Sequence, residues 1–316
     1  MINSALPGVV VIAGPTASGK SALALDVAEA FDGTIINADS MQVYRELRVL
    51  TARPTAADEA RVPHRLFGTV PARHSYSVGC WLKEATAEIE AARAAARLPL
   101  VAGGTGLYLK ALMEGLSDIP DIPGAVRAEA RALHAELGGA AFRARLAEED
   151  PVLAEAIPEG DSQRLIRAFE VVRATGRSLA DWRDEHESRP VARFCTLVLA
   201  PPRHILYAAI DRRFTTMMEN GALAEVKALT SLGLNPALPA MKAVGVAPLR
   251  RHLSGEISLE EAEEAARRAS RNYAKRQMTW LRHQISGAKT LNAQYSKSIA
   301  PKIFSFIRQF LLTGQT

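Results

Sequence analysis

Five short apolar or β-branched runs, at 9–13, 34–38, 64–70, 98–102 and 194–199, are bounded by turn residues and predict strands. The stretches 21–30 and 81–96 are rich in alanine and contain no glycine or proline. Each predicts a crossover helix between parallel strands. Strands and helices that alternate in this way predict an α/β layer structure on a parallel sheet. Roughly ninety residues, 103–193, separate the fourth run from the fifth, with much Ala, Arg, Glu and Leu and no convincing strand. That is far longer than an ordinary connection and predicts a helical insertion. Pro120 and Pro123 mark one edge and Pro190 the other, while Pro151, Pro158 and Gly160 break the interior into separate helices. Further helices are predicted at 205–229, 259–282 and 303–312. The expected division is a core from 1–120 and 193–316, interrupted by an all-helical domain at 121–192.

Composition changes this picture little. In 316 residues, 48% are hydrophobic and 23% charged, the balance of an ordinary globular protein. The apolar run 9–13 is too short to cross a bilayer and lacks the flanks of a signal peptide, so a cytoplasmic location is expected. Cys80 and Cys195 have no Cys or His neighbour at metal-ligand spacing, and both are expected to be buried thiols outside any zinc site or disulfide. Lys and Arg exceed Asp and Glu by 39 to 34, and much of the excess is local. One basic group is Arg164, Arg167, Arg173 and Arg177; another is Arg267, Arg268, Arg271, Lys275, Arg276 and Arg282, and spacing gathers Arg268, Arg271, Lys275 and Arg282 on one helix face. A solvated helix face would account for either, and a polyanionic partner would too. Tyr273 and Trp280, elsewhere on the second helix, are expected to be core.

The segment Gly14-Pro15-Thr16-Ala17-Ser18-Gly19-Lys20-Ser21 matches the phosphate-loop pattern between a predicted strand and a predicted helix. Its glycines let backbone N–H groups curl around a phosphate, Lys20 supplies a cation and Ser21 is a candidate Mg²⁺ ligand. The bound group could be a nucleotide or another diphosphate. Asp39 follows the second strand, which puts it at the carboxyl edge of the sheet beside that loop. It could bind metal, act as a general base or cap the chain that follows. After the fourth strand comes Gly103-Gly104-Thr105-Gly106, where a nucleotide hydrolase often carries a metal-binding carboxylate. Thr105 offers a neutral hydroxyl instead, which argues against ordinary ATP hydrolysis. In the insertion, Leu165, Phe169 and Val172 form an apolar stripe and leave Gln163, Arg164 and Arg167 off it, residue types suited to bases and phosphates.

The segments GPTASGKS, NADSMQVYR, AGGTGLYLKAL, DSQRLIRAFEV and RNYAKRQMTWLR, in this order, closely resemble the bacterial tRNA dimethylallyltransferases over most of the chain. The resemblance implies a phosphate-loop NTPase-like core with a tRNA-binding helical insertion. It implies dimethylallyl diphosphate as donor, Mg²⁺ as cofactor, and the exocyclic amine of the adenine 3′ of the anticodon as acceptor. By motif, Gly14 to Ser21 would hold the donor diphosphate, joined by Arg213, with Ser21 on the metal. Asp39 and Thr105 would be catalytic. Asp39, Ser40, Met41, Gln42, Thr105, Arg127, Gln163, Arg164, Leu165, Ile166 and Arg167 would contact tRNA. The chain departs from the family pattern at Val49 to Thr55, at Arg65 where a second histidine is usual, and at Val246 where an aromatic residue often stands.

The expected chemistry is proton removal by Asp39 from an amine that Thr105 orients, with negative charge on the leaving diphosphate stabilised by the loop. A small-molecule kinase, a nucleotide-sensing regulator and a prenyltransferase acting on free adenine nucleotides are the competing readings. A monomer is expected.

Overall fold

The computed structural model describes residues 8–185 and 192–313. Strand β1 (Gly8–Ala13) is buried along all but its first residue, as a strand covered on both faces must be. It ends in the phosphate loop, which feeds helix α1 (Lys20–Ala30). There follow β2 (Gly33–Asn37), α2 (Ala56–Arg61), β3 (His64–Arg65), α3 (Val78–Ala94), β4 (Leu98–Gly103) and α4 (Gly106–Glu114). The Thr55 hydroxyl caps α2 and the Ser77 hydroxyl caps α3 by accepting main-chain N–H groups of the first turn. A helical stretch then contains α5 (Gly124–Ala147), α6 (Pro151–Ala156), α7 (Ser162–Thr175) and α8 (Leu179–Asp184). The chain returns through β5 (Arg193–Leu199), α9 (Arg203–Glu219), α10 (Ala222–Ser231), α11 (Val246–Leu253), α12 (Leu259–Gln284), β6 (Lys289–Leu291) and α13 (Ala300–Leu312).

Two compact units result, Met1–Glu114 with Pro190–Thr316, and Gly115–Arg189. In the first, every strand pairing is parallel, in the order β3-β2-β4-β1-β5-β6. One face is covered through Trp81, Ile89 and Leu109 and the other through Leu23, Val27 and Ile307. Trp81 lies flat against Tyr108 with ring centroids 4.4 Å apart and donates its indole N–H to the Asn37 carbonyl at 2.7 Å. That fixes the end of β2. The second unit has its own core, centred on Phe142, Leu146, Leu165 and Phe169.

The sheet is as the alternation predicts, with four differences in detail. Strand β3 stops at Arg65, not at residue 70, because Leu66 and Gly68 take positive φ of 63° and 64°. The helix expected over 205–229 breaks at Gly221, which also has positive φ, giving α9 and α10. The three-residue β6 is too short and too exposed to show in the pattern. Cys80 is exposed on the first turn of α3 and only Cys195 is buried. Pro190 lies outside the described residues. Among those residues, no helix is long and apolar enough to cross a membrane.

Candidate active site

The carboxyl ends of β1, β2 and β4 lie side by side, so the phosphate loop, the Asp39 segment and the Thr105 turn meet at one edge of the sheet. Left-handed backbone at Ala17 and Gly19 curls the loop into a cradle of N–H groups. The buried Ser18 hydroxyl has no hydrogen-bond partner among the described residues. A Cβ on Gly14 would stand 2.7 Å from that oxygen, so glycine is what leaves it room. A buried, unpaired hydroxyl beside curled N–H groups is a costly arrangement that an anion would complete.

Lys20 is 9% exposed and donates to the Pro15 carbonyl at 3.3 Å. Burial lowers its pKa from 10.5 to about 8, with Asp39 opposing and Arg213 adding to the shift. The Arg213 guanidinium is likewise pushed down by burial and held up by Asp39, and it donates to the Thr51 carbonyl at 3.3 Å. Two desolvated cations thus share one carboxylate, an arrangement that favours an added anion. Ser21, on the first turn of α1, is exposed.

Asp39 Oδ1 accepts the Met41 N–H at 2.9 Å, so the capping role is real. Its Oδ2 has no hydrogen-bond partner among the described residues and remains for chemistry. Thr105 Oγ1 accepts the Ser40 N–H at 2.9 Å, and its own N–H is donated to the Ala38 carbonyl at 3.1 Å, which locks the two turns together. Gly103 is required here, because its Cβ would lie 2.1 Å from the Ala38 carbonyl oxygen. Gln42 donates to the Thr51 and Ala52 carbonyls.

A cavity of about 250 Å³ opens beside these groups. Thr16, Asp39, Ser40, Arg213, Tyr273 and Arg276 give it polar walls, and Leu50, Ile210, Phe214 and Met217 an apolar one. Tyr273 is a correction to the sequence reading: it is half-buried and lines the cavity. Burial and then the charge of Asp39 raise its hydroxyl pKa, against a contact with Thr105, which keeps it a donor. Trp280 packs on the core as expected, its ring filling the space a Cβ on Gly106 would need. Arg276, from the basic run, and Lys242, which carries no signal in the sequence, also line the cavity.

The helical unit places Arg127 exposed on α5 and Gln163 and Arg164 exposed on α7, with Arg167 and Ile166 half-buried. Leu165 is 0% exposed within that unit's core, so its side chain cannot be an RNA contact. Arg164 faces Asp161 at 3.8 Å and Arg167 faces Glu170 at 3.5 Å. On α12, Arg271 is bound to Asp211 at 2.9 Å and to Glu264 at 2.6 Å, which removes it from the free basic face. Arg268, Lys275 and Arg282 stay exposed without an acidic partner among the described residues. The departures from the family pattern are accommodated locally. Arg65 faces Glu88 at 3.4 Å, Val246 is wholly buried, and the Glu225 carboxylate accepts the main-chain N–H groups of Arg48, Val49 and Leu50.

An anion cradle at the carboxyl edge of a parallel sheet, beside a cavity with a carboxylate and an apolar wall, defines the phosphate-loop class of α/β proteins and leaves room for an anion joined to an apolar group. The comparisons name the family. The chain matches the IPP transferase model over residues 42–284 and the Isopentenyl transferase model over residues 7–67. It is 58% identical over 283 residues to the tRNA dimethylallyltransferase of Rhodospirillum centenum, covering 89% of this chain and 90% of that one. With that of Paramagnetospirillum magneticum it shares 53% over 315 residues, 99% and 100% of the two chains. The crystal structure of the Bacillus halodurans tRNA isopentenylpyrophosphate transferase superposes with a TM-score of 0.71 at 32% identity, covering 98% of each chain. A eukaryotic dimethylallyltransferase shares the fold, with a TM-score of 0.86 at 24% identity over 97% of this chain and 80% of that one. This chain belongs to the IPP transferase family, that of the tRNA dimethylallyltransferases, and is a prenyl-transferring enzyme.

Proposed function

We propose that this enzyme transfers the dimethylallyl group of dimethylallyl diphosphate to the exocyclic amine of the adenine 3′ of the anticodon in tRNA, leaving N6-isopentenyladenosine and diphosphate. The observation that carries this is one cavity that Thr16 of the phosphate loop, Asp39 and Arg213 line together with the apolar Leu50, Phe214 and Met217. The loop N–H groups, Ser18, Lys20 and Arg213 hold the diphosphate, and the wall of Leu50, Phe214 and Met217 receives the five-carbon group. The adenine amine forms its new bond to the allylic carbon as the bond from that carbon to the diphosphate oxygen breaks. Asp39 Oδ2 takes the proton that the amine sheds, and Thr105 orients the amine.

Ser21 fits a Mg²⁺ site, because it presents a hydroxyl beside the cradle and Mg²⁺ favours few protein ligands with substrate oxygens and water. Mg²⁺ held there would offset negative charge on the diphosphate. Gln163, Arg164, Arg167 and Arg127 on the helical unit, and Ser40 and Met41 beside the base, contact the tRNA. The basic residues offset the cost of flipping the target adenine out of its stack, about a few kcal/mol. The enzyme acts as a monomer in the cytoplasm, where its RNA substrate is made.

The test is transfer of label from dimethylallyl diphosphate to an anticodon stem-loop in the presence of Mg²⁺, with ATP turnover measured alongside. Transfer without ATP turnover is expected. ATP turnover without transfer would support the kinase reading, and equal transfer to AMP would remove the role of the helical unit.

A further inference from the structure

Helix α12 turns a stripe of Ala262, Ala266, Ala274 and Leu281 to the core, and Gln277 stands in that stripe, 5% exposed. Such a position ordinarily takes leucine or alanine. Both polar atoms of the buried amide are bonded. Its Oε1 accepts the Thr16 N–H at 2.9 Å and its Nε2 donates to the Gly104 carbonyl at 2.8 Å. The approach is close enough that a Cβ on Gly104 would meet Nε2 at 2.3 Å and the Gly14 carbonyl oxygen at 2.8 Å. Among the described residues, no other side chain hydrogen-bonds both the phosphate loop and the Gly104–Thr105 turn.

Resting on the transfer reading above, we infer that Gln277 is a positioning residue. It fixes the loop that holds the donor against the turn that orients the acceptor amine, and so sets the gap across which the group moves. Because the Thr16 N–H is directed to α12, that donor belongs to the scaffold and the remaining loop N–H groups belong to the ligand. Gln277 itself touches neither substrate. Leucine at this position would keep the volume and leave the Thr16 N–H and the Gly104 carbonyl unpaired. The loop and turn would then move independently.

The experiment compares the wild-type protein with Gln277→Leu and Gln277→Glu, using amide hydrogen exchange without substrates and steady-state transfer with them. In Gln277→Leu the Thr16 amide exchanges about tenfold faster, in line with one lost hydrogen bond, while the amides of β1 and β4 keep their protection. Its kcat falls about a hundredfold, the cost of a roughly 1 Å misplacement, with donor KM within about threefold of wild type. Gln277→Glu adds a signature that a purely structural role lacks. Its protonated carboxyl has one acceptor for Thr16 and one O–H donor for Gly104, as the amide has, whereas the carboxylate has acceptors only. Burial raises the pKa of such a carboxyl. The kcat of Gln277→Glu relative to wild type therefore recovers as pH falls, and that of Gln277→Leu does not.

An unchanged Thr16 exchange rate, a kcat loss equal to the loss of folded protein, or a Gln277→Glu variant without recovery at low pH would overturn the inference. The exchange measurement needs no substrate. If wild type moved no label while Thr16 exchange responded as described, the transfer reading would fall and the loop-to-turn tether would stand.

Discussion

Replacing Lys20 by methionine should make the substrate-free protein more stable and leave it unable to hold its donor. Lys20 is buried, and its pKa is lowered from 10.5 to about 8, so the charged form is disfavoured in the folded state. That shift corresponds to a penalty of about 3 kcal/mol at neutral pH. Loss of the hydrogen bond to the Pro15 carbonyl returns about 1 kcal/mol of it, leaving Lys20→Met more stable by about 2 kcal/mol at pH 7. Between about 8 and 10.5 the unfolded chain holds a proton that the folded one has released, so wild-type stability rises with pH there. The penalty is fully present below that window and gone above it. Urea unfolding of both proteins across the window isolates Lys20 in their difference, since the tyrosines and Cys195 titrate alike in each. Calorimetry with inorganic diphosphate should show binding weakened about 10- to 100-fold in the variant, as loss of a charge-assisted hydrogen bond requires. A less stable variant at pH 7, or a stability difference that does not shrink as pH rises, would refute the reasoning.

Other expectations follow from single contacts. Ser18→Ala should cost donor affinity about tenfold, as loss of a hydrogen bond to a charged group does, without destabilising the substrate-free protein, because its hydroxyl has no partner to lose among the described residues; calorimetry and thermal unfolding check the two parts. Gly103→Ala should destabilise the fold by about 2 kcal/mol or more in denaturant unfolding, because the new methyl meets the Ala38 carbonyl oxygen and main chain must give way. Arg164→Ala combined with Arg167→Ala should weaken tRNA binding and reduce the slope of log affinity against log salt by up to about 2 in filter binding. Leu165→Ala should instead lower stability by about 2–5 kcal/mol in urea, since that side chain is core.

What was legible in the sequence was what local pattern carries. Runs of buried apolar and β-branched residues gave the positions of five of the six strands, and the phosphate-loop spacing placed Gly14 to Ser21 because that loop is defined by consecutive residues. What was not legible came from chain segments far apart. Tyr273 lines the cavity and Gln277 bridges two turns because α12 crosses the strand ends, a placement that only tertiary packing decides. The signal available was a glutamine on the apolar stripe of a helix, an expense that a scaffold carries only where its amide is used. Arg271 was misread for the opposite reason. Helical spacing put it with the basic face, yet Asp211 on α9 and Glu264 on its own helix hold it. The break at Gly221 and the early end of β3 both turn on single residues with positive φ, which periodicity passes over.

The central claim is that Asp39 removes the proton from the acceptor amine, and single-turnover transfer by Asp39→Asn tests it most directly. Asparagine keeps an oxygen to accept the Met41 N–H, so donor and stem-loop affinities should stay close to wild type. The chemical step should slow about 10²- to 10⁴-fold. A variant that binds both substrates and transfers the group at the wild-type rate would contradict the account.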